Sequence, residues 1–255
     1  LAYTAIQANQ NDQHGGQSVP KFDFDMAPGV RKTYQKHYRR CLCNACELLC
    51  GLENSSEALS PVFAALEEKQ LVPTLESNES YTAAEREALQ ALLGCPEAQI
   101  ISAQQFAAKH AYTETECATY QAMQTLIDDL NTMHSRAGAQ TPFSSLNYGT
   151  DTSPEGRMVI KNMLLAEQAG LGHGETPIFP IHIFKVKEGV NFNPGDPNYD
   201  LFRLACKVSA KRLFPNFSFL DAPFNLQYYK EGHPETEVAY MGCRTRVAAN
   251  VYDPT

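Results

Sequence analysis

The sequence predicts an α/β protein, on three observations. The second half alternates in character: 142–148, 178–186 and 216–220 are β-rich, and 154–168 and 199–213 between them carry helical patterns. Strand, helix, strand, helix, strand in that order is the signature of parallel α/β units. With 43% hydrophobic and 20% charged residues over 255 positions, the chain can also bury a sizeable core.

The elements follow in order. Residues 1–20 are polar and predict a loop, with His14-Gly15-Gly16-Gln17 as a flexible turn. Pro28 opens a predicted helix that runs to about Cys50, since proline suits a helix start. The tract 53–80 is rich in Glu and Ser and shows little periodicity. Helical pattern returns over 82–93 and 102–110, each beginning at a Ser or Thr cap. Tyr120, Met123, Ile127, Leu130 and Met133 recur at three- and four-residue spacing, which predicts one apolar face on a helix over 113–134. Pro142 to Tyr148 reads as a strand, Thr150 to Ser153 as a cap, and 154–168 as a helix that Gly170 ends. No internal repeat or low-complexity tract interrupts this order.

Charge and composition exclude several functions. A net charge of -8 argues against a general nucleic-acid binder, which shows a basic surplus. It leaves room for a nucleotide, because a few cations and a helix N-terminus suffice for phosphates. No stretch approaches the roughly 20 apolar residues of a membrane span. The first ten residues lack the basic start of a signal peptide. Eight cysteines in a chain this long read as the reduced thiols of a cytoplasmic protein.

Several residues could carry chemistry. Cys41, Cys43, Cys46 and Cys50 lie within ten positions, a density that suggests a metal site. Helical spacing puts 43, 46 and 50 on one face and 41 elsewhere, the commoner pattern of small buried thiols, so no metal is assigned. In Met241-Gly242-Cys243-Arg244-Thr245-Arg246, glycine permits a tight loop and the arginines favour a thiolate or an anionic substrate. An ordinary buried cysteine fits the same residues. Asp151-Thr152-Ser153-Pro154 opens a helix straight after a strand, where free N–H groups can hold phosphate; plain capping needs the same residue types. Gly170-Leu171-Gly172-His173-Gly174 follows a helix and precedes a strand, the wrong order for a dinucleotide loop. His134 and His182 stand alone in apolar runs and read as core residues.

Taken together, a series of short stretches resembles the class III anaerobic ribonucleoside-triphosphate reductases, which are glycyl-radical enzymes. They are His14 to Ser18 followed by Met26-Ala27-Pro28-Gly29; Asn131 to Gly138 leading into Gln140-Thr141-Pro142-Phe143; Gly149 to Ser153; Gly174 to Pro180; Gly195 to Asp200; Ser209 to Arg212; and Met241 to Arg244. Their order and spacing make the likeness specific, and it is weakest over 50–110.

The resemblance implies a ten-stranded α/β barrel of two half-barrels around a finger loop, with a variable helical insertion over about 50–110. Residues 1–255 would form part of that catalytic barrel, the N-terminal regulatory part and the C-terminal glycyl-radical and zinc part lying outside. It implies reduction of ribonucleoside triphosphates to 2′-deoxyribonucleoside triphosphates, with Cys243 as the thiyl residue at the loop tip. Substrate contacts are expected at Thr152, Ser153 and Ser144. Effector contacts are expected at Gln17, Arg31, Lys32, Lys36 and Arg39, the last four as cations along a helix at a dimer interface. Implied partners are dNTP or ATP effectors, a second copy of the chain, and a radical S-adenosylmethionine, iron–sulfur activating enzyme that installs the glycyl radical. Structural zinc and a reductant, formate or a thiol-redoxin system, complete the set. An internal segment of this kind is expected to be inactive alone. Two other readings stay open: a pyruvate formate-lyase-like enzyme, which would show two adjacent cysteines where Cys243 is single, and a nucleotide-sensing or assembly module that needs no reactive thiol.

Overall fold

The computed structural model describes residues 2–12, 15–133, 140–231, 233, 236–242 and 245–247. It is a mixed α/β structure whose chain divides into two units, residues 1–27 with 119–255, and residues 28–118. No helix among the described residues is long and apolar enough to cross a membrane.

The first unit is built on a parallel sheet. Strands β1 (Gln17–Val19), β2 (Ser144–Tyr148), β3 (Ile181–Val186) and β4 (Asn216–Phe219) lie side by side in that order. Gln17 pairs with Ser144, Ser145 with Ile181, and Ile183 with Asn216. Helices α6 (Pro154–Ala169) and α7 (Tyr199–Arg212) are the crossovers that parallel strands require.

Side chains alternate across a strand, so the register sorts the sheet into two faces. One face is aromatic. Tyr148, His182, Phe184 and Phe217 share it, with ring centroids 5.8 to 6.1 Å apart between neighbours, and Phe202 of α7 packs 5.9 Å from Phe217. His182 is fully buried there, its Nδ1 3.0 Å from Tyr148 Oη and its Nε2 3.2 Å from Glu167 Oε2 of α6. The opposite face carries Ser145, Asn147 and Lys185, all buried. Parallel sheets are normally apolar on both sides, so this polar side is the unusual one. An antiparallel hairpin of β5 (Ala239–Met241) and β6 (Thr245–Val247) meets it.

The amino-terminal part departs from expectation. The predicted loop contains α1 (Ala2–Asp12) and β1. Among the large aliphatic side chains α1 has only Ile6, which leaves no apolar period to read; Gln17 holds it by donating to Ile6 O at 2.7 Å and Gln10 Oε1 at 3.1 Å. The helix expected from Pro28 begins earlier, as α2 (Phe22–Cys50), with Asp23 and Asp25 in the first turn where carboxylates suit the helix dipole.

The second unit is helical. Within it α3 (Ser55–Glu68) occupies the tract expected to lack periodicity, and α4 (Glu79–Leu93) is capped by Asn78, whose side chain accepts the Tyr81 N–H. The two helices expected over 102–134 are one, α5 (Glu97–Thr132), since no glycine or proline stops it there. Tyr34, Tyr38, Leu42 and Ala45 of α2 form the core with Leu59, Phe63 and Leu66 of α3, Leu89 of α4, and Ala103 and Ala107 of α5. Glu85 is buried in it and accepts from Tyr38 Oη at 2.7 Å, Gln104 Nε2 at 2.8 Å and Tyr81 Oη. Burial still raises its pKa above the ordinary value, against the pull of these three donors.

Candidate active site

The polar sheet face holds the hairpin through a set of side-chain hydrogen bonds. Asn147 behaves toward Tyr240 as a neighbouring strand would. Its Oδ1 accepts the Tyr240 N–H at 2.8 Å and its Nδ2 donates to Tyr240 O at 2.9 Å. Ser18 Oγ donates to the same carbonyl at 2.7 Å. Two residues along β2, Ser145 Oγ accepts the Gly242 N–H at 2.8 Å. Gly242 takes φ 63°, a left-handed conformation that glycine adopts without a Cβ penalty, at the position expected to turn the loop.

Lys185 stands on the same face and reaches Glu237 at 3.1 Å, just ahead of β5; Lys187 reaches the other oxygen at 3.2 Å. Burial lowers the Lys185 pKa, and the carboxylates of Glu237 and Asp23 do not restore it. Burial also pushes Glu237 up, but two ammonium groups outweigh it and hold the carboxyl below its ordinary range.

The carboxyl ends of β2 and β3, where ligands of α/β sheets bind, form a second network. Asp23 Oδ2 accepts from the backbone N–H groups of Gly149 at 2.8 Å, Thr150 at 3.0 Å and Asp151 at 3.0 Å. Such convergent amides make an anion nest, and here the chain's own carboxylate fills it. Burial raises the Asp23 pKa, opposed by the Asp151 and Gly149 amides. Gly149 has φ 128°, and a Cβ there would lie 2.9 Å from Lys185 O. Asn191 and Asn198 donate to Gly149 O at 2.9 and 3.2 Å, tying the loops together.

The residues named from sequence fall at different places. Cys243 and Arg244 lie outside the described residues, as does His134; the paired Met241 and Thr245 flank positions 242–244. Thr152 is exposed at the start of α6. Ser153 caps that helix, its Oγ accepting the Gly156 N–H at 3.1 Å, while Asp151 Oδ1 accepts the Ser153 N–H at 2.9 Å. Ser144 is buried, with its hydroxyl 3.3 Å from Pro142 O, and alternation turns it away from the Ser145 and Asn147 face. In the first unit Gln17 is spent on α1, as described. In the second unit Arg31, Lys32 and Lys36 are exposed, whereas Arg39 pairs with Glu67 and lies 5.4 Å over the Phe63 ring. Cys41, Cys43 and Cys46 are buried, and among the described residues no group of three or more His, Cys, Asp or Glu is arranged to hold a metal.

Sequence reasoning missed Asp23, Ser145, Asn147, Lys185 and Glu237. A signal existed for three of them: a lysine inside the apolar run 181–186, and Ser145 and Asn147 at alternate positions of a strand.

A family model described as anaerobic ribonucleoside-triphosphate reductase matches residues 1–254. The chain is 36% identical over 140 residues to the anaerobic ribonucleoside-triphosphate reductase of Haemophilus influenzae, a stretch that is 54% of this chain and 18% of that protein. It is 41% identical over 105 residues to the Salmonella typhimurium protein of the same description, covering 41% of this chain and 14% of that protein. It is 39% identical over 140 residues to the one from Enterobacteria phage T4, covering 54% of this chain and 22% of the phage protein. The matched stretches thus span no more than 22% of these relatives' lengths.

Proposed function

The chain belongs to the anaerobic ribonucleoside-triphosphate reductase family, and we propose that it supplies part of the catalytic core of a cytoplasmic enzyme that reduces ribonucleoside triphosphates to deoxyribonucleoside triphosphates. The observation that carries this reading is the hairpin on the polar sheet face. Ser18, Ser145 and Asn147 grip Tyr240 and Gly242, and Lys185 grips Glu237, so the backbone leading into position 243 is held from several strands of the sheet. A hydrogen-abstracting thiol needs such support, because its sulfur must meet one ribose hydrogen in a fixed geometry. In a protein of the relatives' length the sheet would form one side of a ten-stranded barrel closed around this hairpin.

In the proposed reaction the Cys243 thiyl takes the 3′ hydrogen of the ribose. The 2′ hydroxyl then leaves as water, and formate or a thiol-redoxin system supplies the electrons. A glycyl radical installed by a radical S-adenosylmethionine activase would generate the thiyl, and the accompanying zinc would be structural. Thr152 and Ser153 are assigned to the substrate phosphates. Their support is the place of α6, at the carboxyl end of β2. Asp23 already serves the three preceding amides. Ser144 is assigned a lesser substrate contact from the resemblance alone.

Arg31, Lys32, Lys36 and Arg39 on α2 are assigned to a dNTP or ATP effector at the interface of a homodimer, and Gln17 is assigned an effector contact from the resemblance alone. The exposure of Arg31, Lys32 and Lys36 supports that assignment. The test is turnover: enzyme of the relatives' length, activated without oxygen, is given each ribonucleoside triphosphate with formate and, separately, with a thiol-redoxin system. A 2′-deoxynucleotide is expected; no deoxynucleotide under either reductant would overturn the proposal.

A further inference from the structure

The helical second unit holds a pair of thiols that the proposed reductase chemistry does not use. Cys50 is the last residue of α2, and Cys95 sits in the turn between α4 and α5. Cys95 Sγ donates to Cys50 Sγ at 3.2 Å. Both are free thiols and both are partly exposed. The turn fixes Cys95 closely. Gly94 caps α4 in the left-handed region with φ 59°, and Pro96, with its restricted backbone, follows. Cys46, one turn back along α2, is fully buried and shielded from solvent.

We propose that Cys50 and Cys95 form a redox-active dithiol, a site at which hydrogen peroxide reversibly converts two thiols into a disulfide. The inference does not depend on the proposed reductase activity. The two sulfurs need to approach by roughly 1 Å to reach the disulfide bond length of about 2.05 Å. No helix has to unwind, because one thiol ends a helix and the other lies in a turn. The steps balance. One sulfur attacks a peroxide oxygen, breaking the O–O bond and becoming a sulfenic acid, with one water released after proton transfer. The second sulfur attacks the first, forming the S–S bond and breaking S–O, and the sulfenic oxygen leaves as a second water. Two electrons pass from sulfur to peroxide, and a dithiol reductant reverses the change. The Cys50 thiol is pushed up to about 11 by burial and by its contact with Cys95, so only a small thiolate fraction attacks peroxide at neutral pH and the oxidation is slow. The product ties the end of α2 to the α4–α5 turn, closing a loop of about 45 residues within the unit.

Cys117 and Cys206, both exposed, are the controls. The protein is reduced without oxygen, freed of reductant, treated with a limiting amount of hydrogen peroxide, alkylated and mapped by mass spectrometry. The expected product is a linked pair of peptides holding Cys50 and Cys95, lighter by two hydrogens than their sum and separated by dithiothreitol. The oxidised form should show an unfolding constant for this unit lower by roughly 30- to 800-fold. In Cys50→Ser the link should vanish and Cys95 should alkylate as Cys117 does. Oxidation of Cys117 and Cys206 while Cys50 and Cys95 remain unlinked would overturn the proposal, as would a link from Cys50 to any other cysteine. The map is made on the unsubstituted protein, so its outcome decides the matter even if Cys50→Ser fails to fold.

Discussion

Replacing Asn147 by leucine keeps the side chain near its original size and removes all its polar contacts. Four are lost: the acceptor for Tyr240 N–H at 2.8 Å, and the donors to Tyr240 O at 2.9 Å, Ser18 Oγ at 3.0 Å and Val19 O at 3.2 Å. Not all of them cost equally. Tyr240 O keeps the Ser18 hydroxyl at 2.7 Å, so the expensive loss is the Tyr240 N–H beside a fully buried side chain. A buried group left unsatisfied costs about 1–3 kcal/mol, and the remaining bonds add a net contribution below that. The hairpin should therefore open more readily by about 2–3 kcal/mol, which is roughly 30- to 140-fold in the opening equilibrium. Amide hydrogen exchange reads this directly. Exchange at Tyr240 and Gly242 should quicken by that factor, while amides inside α6 keep their wild-type protection. Asn147→Asp refines the test. Its carboxylate still accepts the Tyr240 N–H but repels Tyr240 O, so it should be at least as damaging at neutral pH and recover in acid, where a protonated carboxyl can donate. Unchanged exchange at Tyr240 and Gly242 in Asn147→Leu would refute the idea that this side chain holds the hairpin.

Three further outcomes follow from the same structure. Ser153→Ala should cost about 1 kcal/mol of stability through its lost cap, and both it and Thr152→Ala should weaken ribonucleotide affinity even after stability is restored elsewhere; intact affinity would leave capping as the whole role. Glu237 has a carboxyl pKa depressed in the folded protein, so its stabilising effect is present above the ordinary value of 4.5 and lost as pH falls through the lower, folded value; the thermal midpoint of Glu237→Gln should accordingly converge on that of the wild type in acid, and a gap that does not change with pH would contradict this. Charge removal at Arg31, Lys32 and Lys36 should weaken dNTP binding in a titration of the dimer, whereas unaltered binding would count against an effector site on α2.

What could be read from the sequence divides along physical lines. In the second half, strands and helices are separated by punctuation: Ser153 and Pro154 open α6, Gly170 closes it, and Ile181 to Val186 is largely apolar. Local signals and tertiary structure agree there, so the parallel α/β order was legible. In the first half they do not. α3 buries Leu59, Phe63 and Leu66 at helical spacing, but Glu and Ser around them dilute the pattern. α1 depends on Gln17, a tertiary contact. The site divides in the same way. The turn at Gly242 and the helix start at Thr152 and Ser153 have local sequence signatures. Asp23 does not: it meets Gly149 across 126 positions, and nothing near it in sequence says that its carboxylate will fill a backbone nest. Asn147 lies between the two: its place in a strand beside Ser145 marks a polar face, but its partner is known only once the hairpin is placed.

The proposed chemistry depends on Cys243 as the residue that abstracts hydrogen from the ribose. A thiol S–H bond is close enough in strength to a ribose C–H bond for reversible transfer, and a hydroxyl O–H bond is not. Cys243→Ser therefore removes the chemistry while almost preserving shape. The decisive measurement is deoxynucleotide production by this variant in an enzyme of the relatives' length, activated anaerobically, with folding and nucleotide binding verified on the same sample. The expected result is a folded protein that binds ribonucleotide, accepts the glycyl radical and yields no deoxynucleotide. Appreciable deoxynucleotide from that variant would contradict the role of Cys243.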